Sequence, residues 1–323
     1  MSGFIKMHGL GNDFVVMNFM LGAPDRNWAQ EAVQLCDRHY GVGADGLVLL
    51  LPSDEADFEM RIFNSDGSEA EMCGNAIRCV TRYVFERGLV SDLTLTVKTR
   101  AGIMRPELVW EDPDNPDSIK VKVDMGTPVL DPPAIPVSAE GERVVNQPLT
   151  VGGGTIKFTA VSMGNPHCVI FVPDMEGTDF YTLGPLIENH PRFPRKTNVE
   201  FVQVLSPGRL KVRVWERGAG ETLACGTGAC AVAVAGVLNG FSERKVAVEL
   251  PGGRLDIEWR EDGRVFMTGP RATGSGGAAG TGCSSPPDGA GDSSKAKPSI
   301  LKSSIVVIPL NLSKIVISTD PGM

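Results

Sequence analysis

Two of the seven cysteines stand apart from the others. Cys73 and Cys225 each immediately precede a glycine, in Glu71-Met-Cys-Gly-Asn-Ala-Ile-Arg-Cys79 and Leu223-Ala-Cys-Gly-Thr-Gly-Ala-Cys230, and each opens a stretch of helical character. The first turn of a helix leaves backbone N–H groups unpaired at the positive end of its dipole. A thiol placed there is expected to ionise more readily, and the same N–H groups hold an anion such as a carboxylate. Two such helix starts facing across a cleft would grip one small anion from both sides, with a sulfur on each side. That arrangement suits inversion at a carbon acid. One sulfur removes a proton, the other returns one to the opposite face, and the roles exchange in the reverse direction. The N–H groups would stabilise the enediolate that develops on the carboxylate. The scheme requires no cofactor, and no lysine setting of the pyridoxal type is apparent.

Other uses of the cysteines fit less well. The spacings Cys73-x5-Cys79 and Cys225-x4-Cys230 are not the short spacings of structural zinc or of a redox pair. On a helix the two members of each pair point roughly 140° to 240° apart, so no shared metal ion is expected. Cys36, Cys79, Cys168 and Cys230 read as small buried apolar residues. An odd total argues against a disulfide framework.

The segments around the cysteines repeat. Met7-His-Gly-Leu-Gly-Asn12 lies 61 positions before Cys73, and Ser162-Met-Gly-Asn165-Pro-His167 lies 60 before Cys225, counting from each asparagine. Two similar domains facing one another are therefore expected. Alone, Asn12 and Asn165 would pass for left-handed turn residues and His167 for a structural histidine. Glu216-Arg217 would pass for a surface pair. The repetition upstream of the cysteines favours a site. His8, His39 and His190 remain structural in this reading.

The elements that must position these groups are mostly strands. Period-two alternation places Phe58, Met60 and Ile62 on one face, and likewise Ile119, Val121 and Val123, then Leu210, Val212 and Val214, then Val246, Val248 and Leu250. Trp28 to Arg38 predicts an amphipathic helix with Ala29, Ala32, Val33 and Cys36 at helical spacing. Asn75 to Glu86 predicts a second helix. Gly228 to Leu238 predicts a third, apolar nearly all round, which strands must therefore surround. Gly152-Gly-Gly154 reads as a hairpin turn, since no phosphate-loop lysine follows.

The chain has 323 residues, enough for two domains, and a net charge of −8. An acidic chain without a basic run excludes non-specific nucleic-acid binding, and no stretch reaches transmembrane length. No signal or transit peptide is recognisable, which predicts a cytoplasmic protein; a plastid stroma is the alternative if a leader precedes this sequence. After Arg271 the composition changes. Ala272 to Pro298 contains no Val, Ile, Leu, Met or aromatic residue, and residues 272–323 are expected to be a disordered or artefactual tail.

These motifs, with Met7-His-Gly-Leu-Gly-Asn-Asp-Phe14, Phe63-Asn-Ser-Asp-Gly-Ser68, Met163-Gly-Asn-Pro-His167 and Trp215-Glu-Arg-Gly-Ala-Gly220, resemble the diaminopimelate epimerase family over about residues 3 to 270. The style of Leu205-Ser-Pro-Gly208 resembles the plant and algal forms. The resemblance implies an α+β fold of two pseudo-symmetric domains, each a mixed β-sheet or barrel wrapped around a central hydrophobic helix. Residues 1–126 would form the first, completed by a strand from 264–271, and residues 127–263 the second. It implies cofactor-free interconversion of LL- and meso-diaminopimelate in lysine biosynthesis, without metal. Carried over, Cys73 and Cys225 are the acid/base pair, tuned by His167 and Glu216. Asn12, Asn64, Asn165, Asn198, Glu216 and Arg217 match substrate-binding positions. Gly74, Asn75, Gly226 and Thr227 match the cradles at the helix starts. Arg217 suits the distal carboxylate, which it can fork. Gly46 stands where some members have a substrate-contacting glutamine. The family implies a homodimer, but the C-terminal aromatic of its dimer contacts has no counterpart here.

Overall fold

The computed structural model describes residues 3–115 and 118–270, with the backbone of Ile308 and Pro309. The expected tail otherwise lies outside the described residues, as does Cys283. The first sheet contains β1 (Gly3–Gly9), β2 (Asn12–Asn18), β3 (Gly46–Leu51), β4 (Phe58–Asn64), β5 (Glu69–Ala70), β6 (Val97–Thr99) and β7 (Gly102–Met104). They lie in the order β1-β2-β3-β4-β6-β7, with β5 beside β4 and Ile308–Pro309 beside β1. The second sheet contains β8 (Glu107–Trp110), β9 (Ile119–Asp124), β10 (Gln147–Val151), β11 (Gly154–Ser162), β12 (Pro166–Phe171), β13 (Asn198–Ser206), β14 (Arg209–Glu216), β15 (Gly220–Thr222), β16 (Lys245–Leu250), β17 (Gly253–Trp259) and β18 (Val265–Gly269). Its order is β10-β11-β12-β13-β14-β16-β17-β18-β9-β8, with β15 beside β14.

The repeat seen in the sequence is a repeat of topology. The pairs β2/β3 and β4/β6 are parallel, and so are their counterparts β12/β13 and β14/β16. The remaining pairs of both runs, β1/β2, β3/β4 and β6/β7 against β11/β12, β13/β14 and β16/β17, are antiparallel. Strands β8 and β9 of the first half join the second sheet, because β18 pairs with both β17 and β9.

Four helices are described: α1 (Trp28–Cys36), α2 (Gly74–Glu86), α3 (Phe180–Glu188) and α4 (Gly226–Leu238). Helix α4 packs against β11, β12, β13, β16, β17 and β18, and α2 against β1, β2 and β9. One apolar core contains the inward faces of both helices and of the strands around them. The alternating residues fall as expected: Phe58, Met60 and Ile62 are buried, as are Leu210, Val212 and Val214. The face of α1 differs from expectation. Trp28, Ala32, Leu35 and Cys36 are buried, whereas Val33 is 46% exposed. Two stripes satisfy the helical period there, and the one carrying the larger Trp28 and Leu35 removes more apolar surface from water. Gly152 and Gly153, both at positive φ, form the two-residue hairpin between β10 and β11. Among the described residues, no helix is long and apolar enough to cross a membrane.

Candidate active site

Cys73 and Cys225 are the N-cap residues of α2 and α4, both in extended backbone conformation. The first helical residue after each is glycine. A Cβ on Gly226 would lie 3.9 Å from the Cα of Gly74, and Met267 packs against both. The two helix starts therefore meet almost backbone to backbone. Asn75 ties them together: its Nδ2 donates to the Ala224 carbonyl (3.4 Å) and to Asn12 Oδ1 (3.1 Å).

The other groups converge from matching strand ends. Asn12 opens β2, and Asn165 immediately precedes β12. Gly46 opens β3 and Asn198 opens β13; Asn64 closes β4 and Glu216 closes β14. The asparagines are not left-handed turn residues. Leu10, Gly11 and Gly164 take the positive φ angles instead, leaving the asparagine side chains directed by their strands. Asn12 Oδ1 lies 4.0 Å from the Cys73 sulfur, and Asn12 Nδ2 donates to Asp45 (2.8 Å). Asp45 and Asp13 both accept from Arg38. Burial alone would raise the Asp13 carboxyl, but Arg38 and Lys6 hold it down at about 2.

His167 is fully buried, with Nδ1 2.7 Å from Glu200 Oε1 and Nε2 2.9 Å from Asn165 Oδ1. Sequence reasoning missed Glu200. Its signal was an acidic residue inside the apolar run Val199-Glu-Phe-Val202. The carboxylate is also fully buried; one oxygen holds His167 and the other finds no partner. A Cβ on Gly228 would stand 2.8 Å from Oε1, so the glycine leaves room for Glu200 beside Cys225. Glu216 accepts from Thr222 Oγ1 (3.0 Å). Burial raises its carboxyl, against hydrogen bonds from Thr222 and Cys225 and the His167 charge. Asn198 is spent on the backbone, donating to Pro166 O and accepting from Arg217 N. Arg217 is exposed, with Nη1 on the Arg195 carbonyl. Asn64 is exposed and donates to Ser68.

The expectation that the helix starts lower both thiol pKa values is not met in this state. Burial raises Cys73, although N–H groups of Ala76 and Asn75 and the Arg78 charge pull it down. Cys225 is raised well above its ordinary value, by burial first and then by Glu216 and Glu200; Thr227 and the Gly228 N–H, 3.3 Å from the sulfur, offset only part. Lost solvation and nearby carboxylates outweigh the dipole. Cys36, Cys79, Cys168 and Cys230 are buried, as expected. No three His, Cys, Asp or Glu side chains of the described residues group as metal ligands. Position 46, where the resemblance implies a glutamine in some members, has no room for a side chain here: a Cβ on Gly46 would lie 2.9 Å from the Phe63 carbonyl oxygen and 3.4 Å from the Phe14 ring.

The fold is shared with a class of epimerases and isomerases. It resembles a hydroxyproline epimerase from Agrobacterium vitis (TM-score 0.62, 16% identity, 85% of this chain and 91% of that one). It also resembles a probable proline racemase from Agrobacterium radiobacter (TM-score 0.60, 16% identity, 84% and 91%). These likenesses concern the fold alone. The sequence is more particular. The diaminopimelate epimerase profile matches residues 4–130 and 159–273, and the chain belongs to that family of isomerases. The Pelotomaculum thermopropionicum diaminopimelate epimerase is 58% identical over 269 residues, spanning 83% of this chain and 95% of that protein. The Methanococcus maripaludis enzyme is 51% identical over 271 residues, spanning 84% and 96%. The expected leaning toward plant and algal forms is not borne out, because these similar relatives are bacterial and archaeal.

Proposed function

We propose that the protein interconverts LL- and meso-diaminopimelate for lysine biosynthesis, without a cofactor, using Cys73 and Cys225 as a two-base pair. The observation that carries this reading is the meeting of two pseudo-equivalent helix starts at Gly74 and Gly226, each preceded by a cysteine N-cap. The thiolate of one cysteine takes the α-proton as the Cα–H bond breaks. The thiol of the other delivers its proton to the opposite face. N–H groups at both helix starts stabilise the charge that moves onto the α-carboxylate. His167 and Glu216 tune the pair, with Gly74, Asn75, Gly226 and Thr227 as its cradle. Asn12, Asn64, Asn165, Asn198 and Arg217 orient the substrate, Arg217 reading the distal carboxylate. The strand repeat, β1–β7 against β11–β17, supports two domains; we assign 1–126 to the first, with the strand from 264–271 completing it, and 127–263 to the second, the two sharing a sheet through β8, β9 and β18. A homodimer is the assembly that the family implies. Bacterial and archaeal relatives support a cytoplasmic setting.

Incubation with LL-diaminopimelate in D2O tests the reading. Deuterium at the α-carbon together with meso product is expected, and Cys73→Ala or Cys225→Ala should each abolish it. Exchange into proline but not into diaminopimelate would overturn the substrate assignment. Full activity in either alanine variant would overturn the two-base assignment.

A further inference from the structure

Glu188 is the last residue of α3 and is 6% exposed. That is an unfavourable place for a carboxylate. A buried charge is costly unless it is paired and hydrogen-bonded, and the C-terminal end of a helix is the negative end of its dipole. Its two oxygens are spent on a turn outside the helix. Oε2 accepts from the Trp215 indole Nε1 (2.9 Å), and Oε1 accepts from the Gly218 backbone N–H (3.0 Å). These two donors bracket Glu216 and Arg217. Lys196, itself exposed, approaches Oε1 at 3.5 Å. Neither hydrogen-bond donor can turn round. One is main chain, and the other belongs to a ring packed against α3, where a Cβ on Gly184 would stand 2.8 Å from it.

We infer that Glu188 is a positioning residue for substrate binding: it fixes the turn after Trp215 and so aims Arg217 at the distal end of the substrate. The inference rests on the reading of Arg217 given above. Glu216 is held without it, because Glu216 pairs with Gly220 across β14 and β15 and accepts from Thr222. Arg217 and Gly218 lie in the turn between those strands. The Arg217 N–H is tied to Asn198 Oδ1 (3.0 Å), and its Nη1 to the Arg195 carbonyl (3.2 Å). The next N–H along the chain is the one that Glu188 takes. Both carboxylate oxygens meet groups that can only donate, so an amide here would set its NH2 against one of them. The hydrogen bonds of Glu188 reach neither cysteine. Its loss should therefore act on substrate binding rather than on the chemical step.

Steady-state kinetics with LL-diaminopimelate, on full-length variants that unfold above the assay temperature, test this. Glu188→Gln should raise KM about tenfold; Asn198 still holds part of the turn, and a full 1 Å misplacement costs about 100-fold. The kcat should change less than about threefold, as for any contact made equally in ground and transition states. Trp215→Phe removes the indole donor. In that background Glu188→Gln should be silent, because the amide can turn its oxygen to Gly218 and its NH2 to the vacated side. Glu188→Ala in the same background leaves Gly218 without an acceptor and should raise KM about tenfold. These two double variants decide the matter even where Glu188→Gln alone does not fold. An unmoved KM in Glu188→Gln, a loss confined to kcat, or equal effects of glutamine and alanine in the Trp215→Phe background overturns the inference. Arg217→Ala separates the two readings. Its KM should rise at least as far as that of Glu188→Gln, and an unmoved KM there would defeat the assignment of Arg217 itself, whatever Glu188 does.

Discussion

Gly226 faces Gly74 so closely that a Cβ on it would stand 3.9 Å from the Gly74 Cα and 3.2 Å from the Met267 sulfur. Two helix starts from two halves of the chain meet here glycine to glycine, and a Cβ on Gly74 would stand 2.8 Å from the Met267 methyl. The cysteine one residue earlier on each helix is thereby held at the junction.

Gly226→Ala should separate stability from chemistry. The Met267 thioether is flexible and can yield by a few tenths of an ångström, and alanine favours the helix by roughly 0.5–1 kcal/mol. The unfolding temperature should barely move. The facing Gly74 Cα stands at an ordinary contact distance of 3.9 Å and need not move, so α-proton exchange should fall by less than the roughly 100-fold that a misplacement on the order of 1 Å at reacting groups costs. Thermal unfolding measured beside α-proton exchange checks both. Wild-type exchange at an unchanged unfolding temperature would show that the close approach is dispensable.

Removing Glu200 should cost stability as well as activity. Glu200→Ala leaves the Nδ1 of a fully buried His167 without its 2.7 Å partner, and an orphaned buried polar group costs about 1–3 kcal/mol. Glu200→Gln keeps an acceptor of the same shape and should lose less. Gly228→Ala should resemble Glu200→Ala in activity, since its Cβ would meet Glu200 Oε1 at 2.8 Å. Urea unfolding of the three variants ranks them; equal stability of Glu200→Ala and the parent would exclude a supporting role for this pair.

Local pattern carried much of this architecture. The alternation of Ile119, Val121 and Val123 marked β9, and the matched spacing from Asn12 to Cys73 and from Asn165 to Cys225 marked two equivalent halves whose strand orders do repeat. What stayed hidden depends on distant partners. Nothing in the residues of β18 itself announces that it pairs with β9 across more than a hundred residues; that a strand from 264–271 joins the first half was implied by the family resemblance alone. Gly184 and Pro185 concealed α3, where the glycine makes room for the Trp215 ring. The thiol environment was misjudged because a helix start is visible in sequence, whereas the burial and the two carboxylates opposing it around Cys225 are not.

Placing a glutamine at position 46, as the resemblance implies for some members, should harm the protein. Gly46 lies between Phe14 of β2 and Asn64 of β4 in register. The atom 2.9 Å from its absent Cβ is the Phe63 backbone carbonyl, which cannot rotate away. Overpacking of this kind costs about 1–3 kcal/mol. Gly46→Gln should therefore lower the denaturant midpoint without lowering the KM for diaminopimelate. A lower KM with unchanged stability would mean that the strand accommodates the side chain and that the lost contact mattered.

Alkaline pH should unfold the protein earlier than its surface charge alone would. Burial pushes Cys79 and Cys230 from 9.0 to about 12, with Arg78 offsetting part in each case. Burial first, then the Asp13 and Asp45 charges, pushes Cys36 to about 11. In each case the folded value lies above the unfolded one. The folded protein keeps a proton that the unfolded chain has released. The resulting stability is complete below about pH 9 and is lost as pH rises through the folded values. Each fully buried thiol contributes a slope of about 1 kcal/mol per pH unit across that window. Urea midpoints between pH 8 and pH 11 should therefore fall steeply. Cys230→Ala lowers the starting stability by leaving a small cavity, but it should flatten the slope by one thiol's share. An unchanged slope in that variant would show that a group other than the Cys230 thiol titrates there.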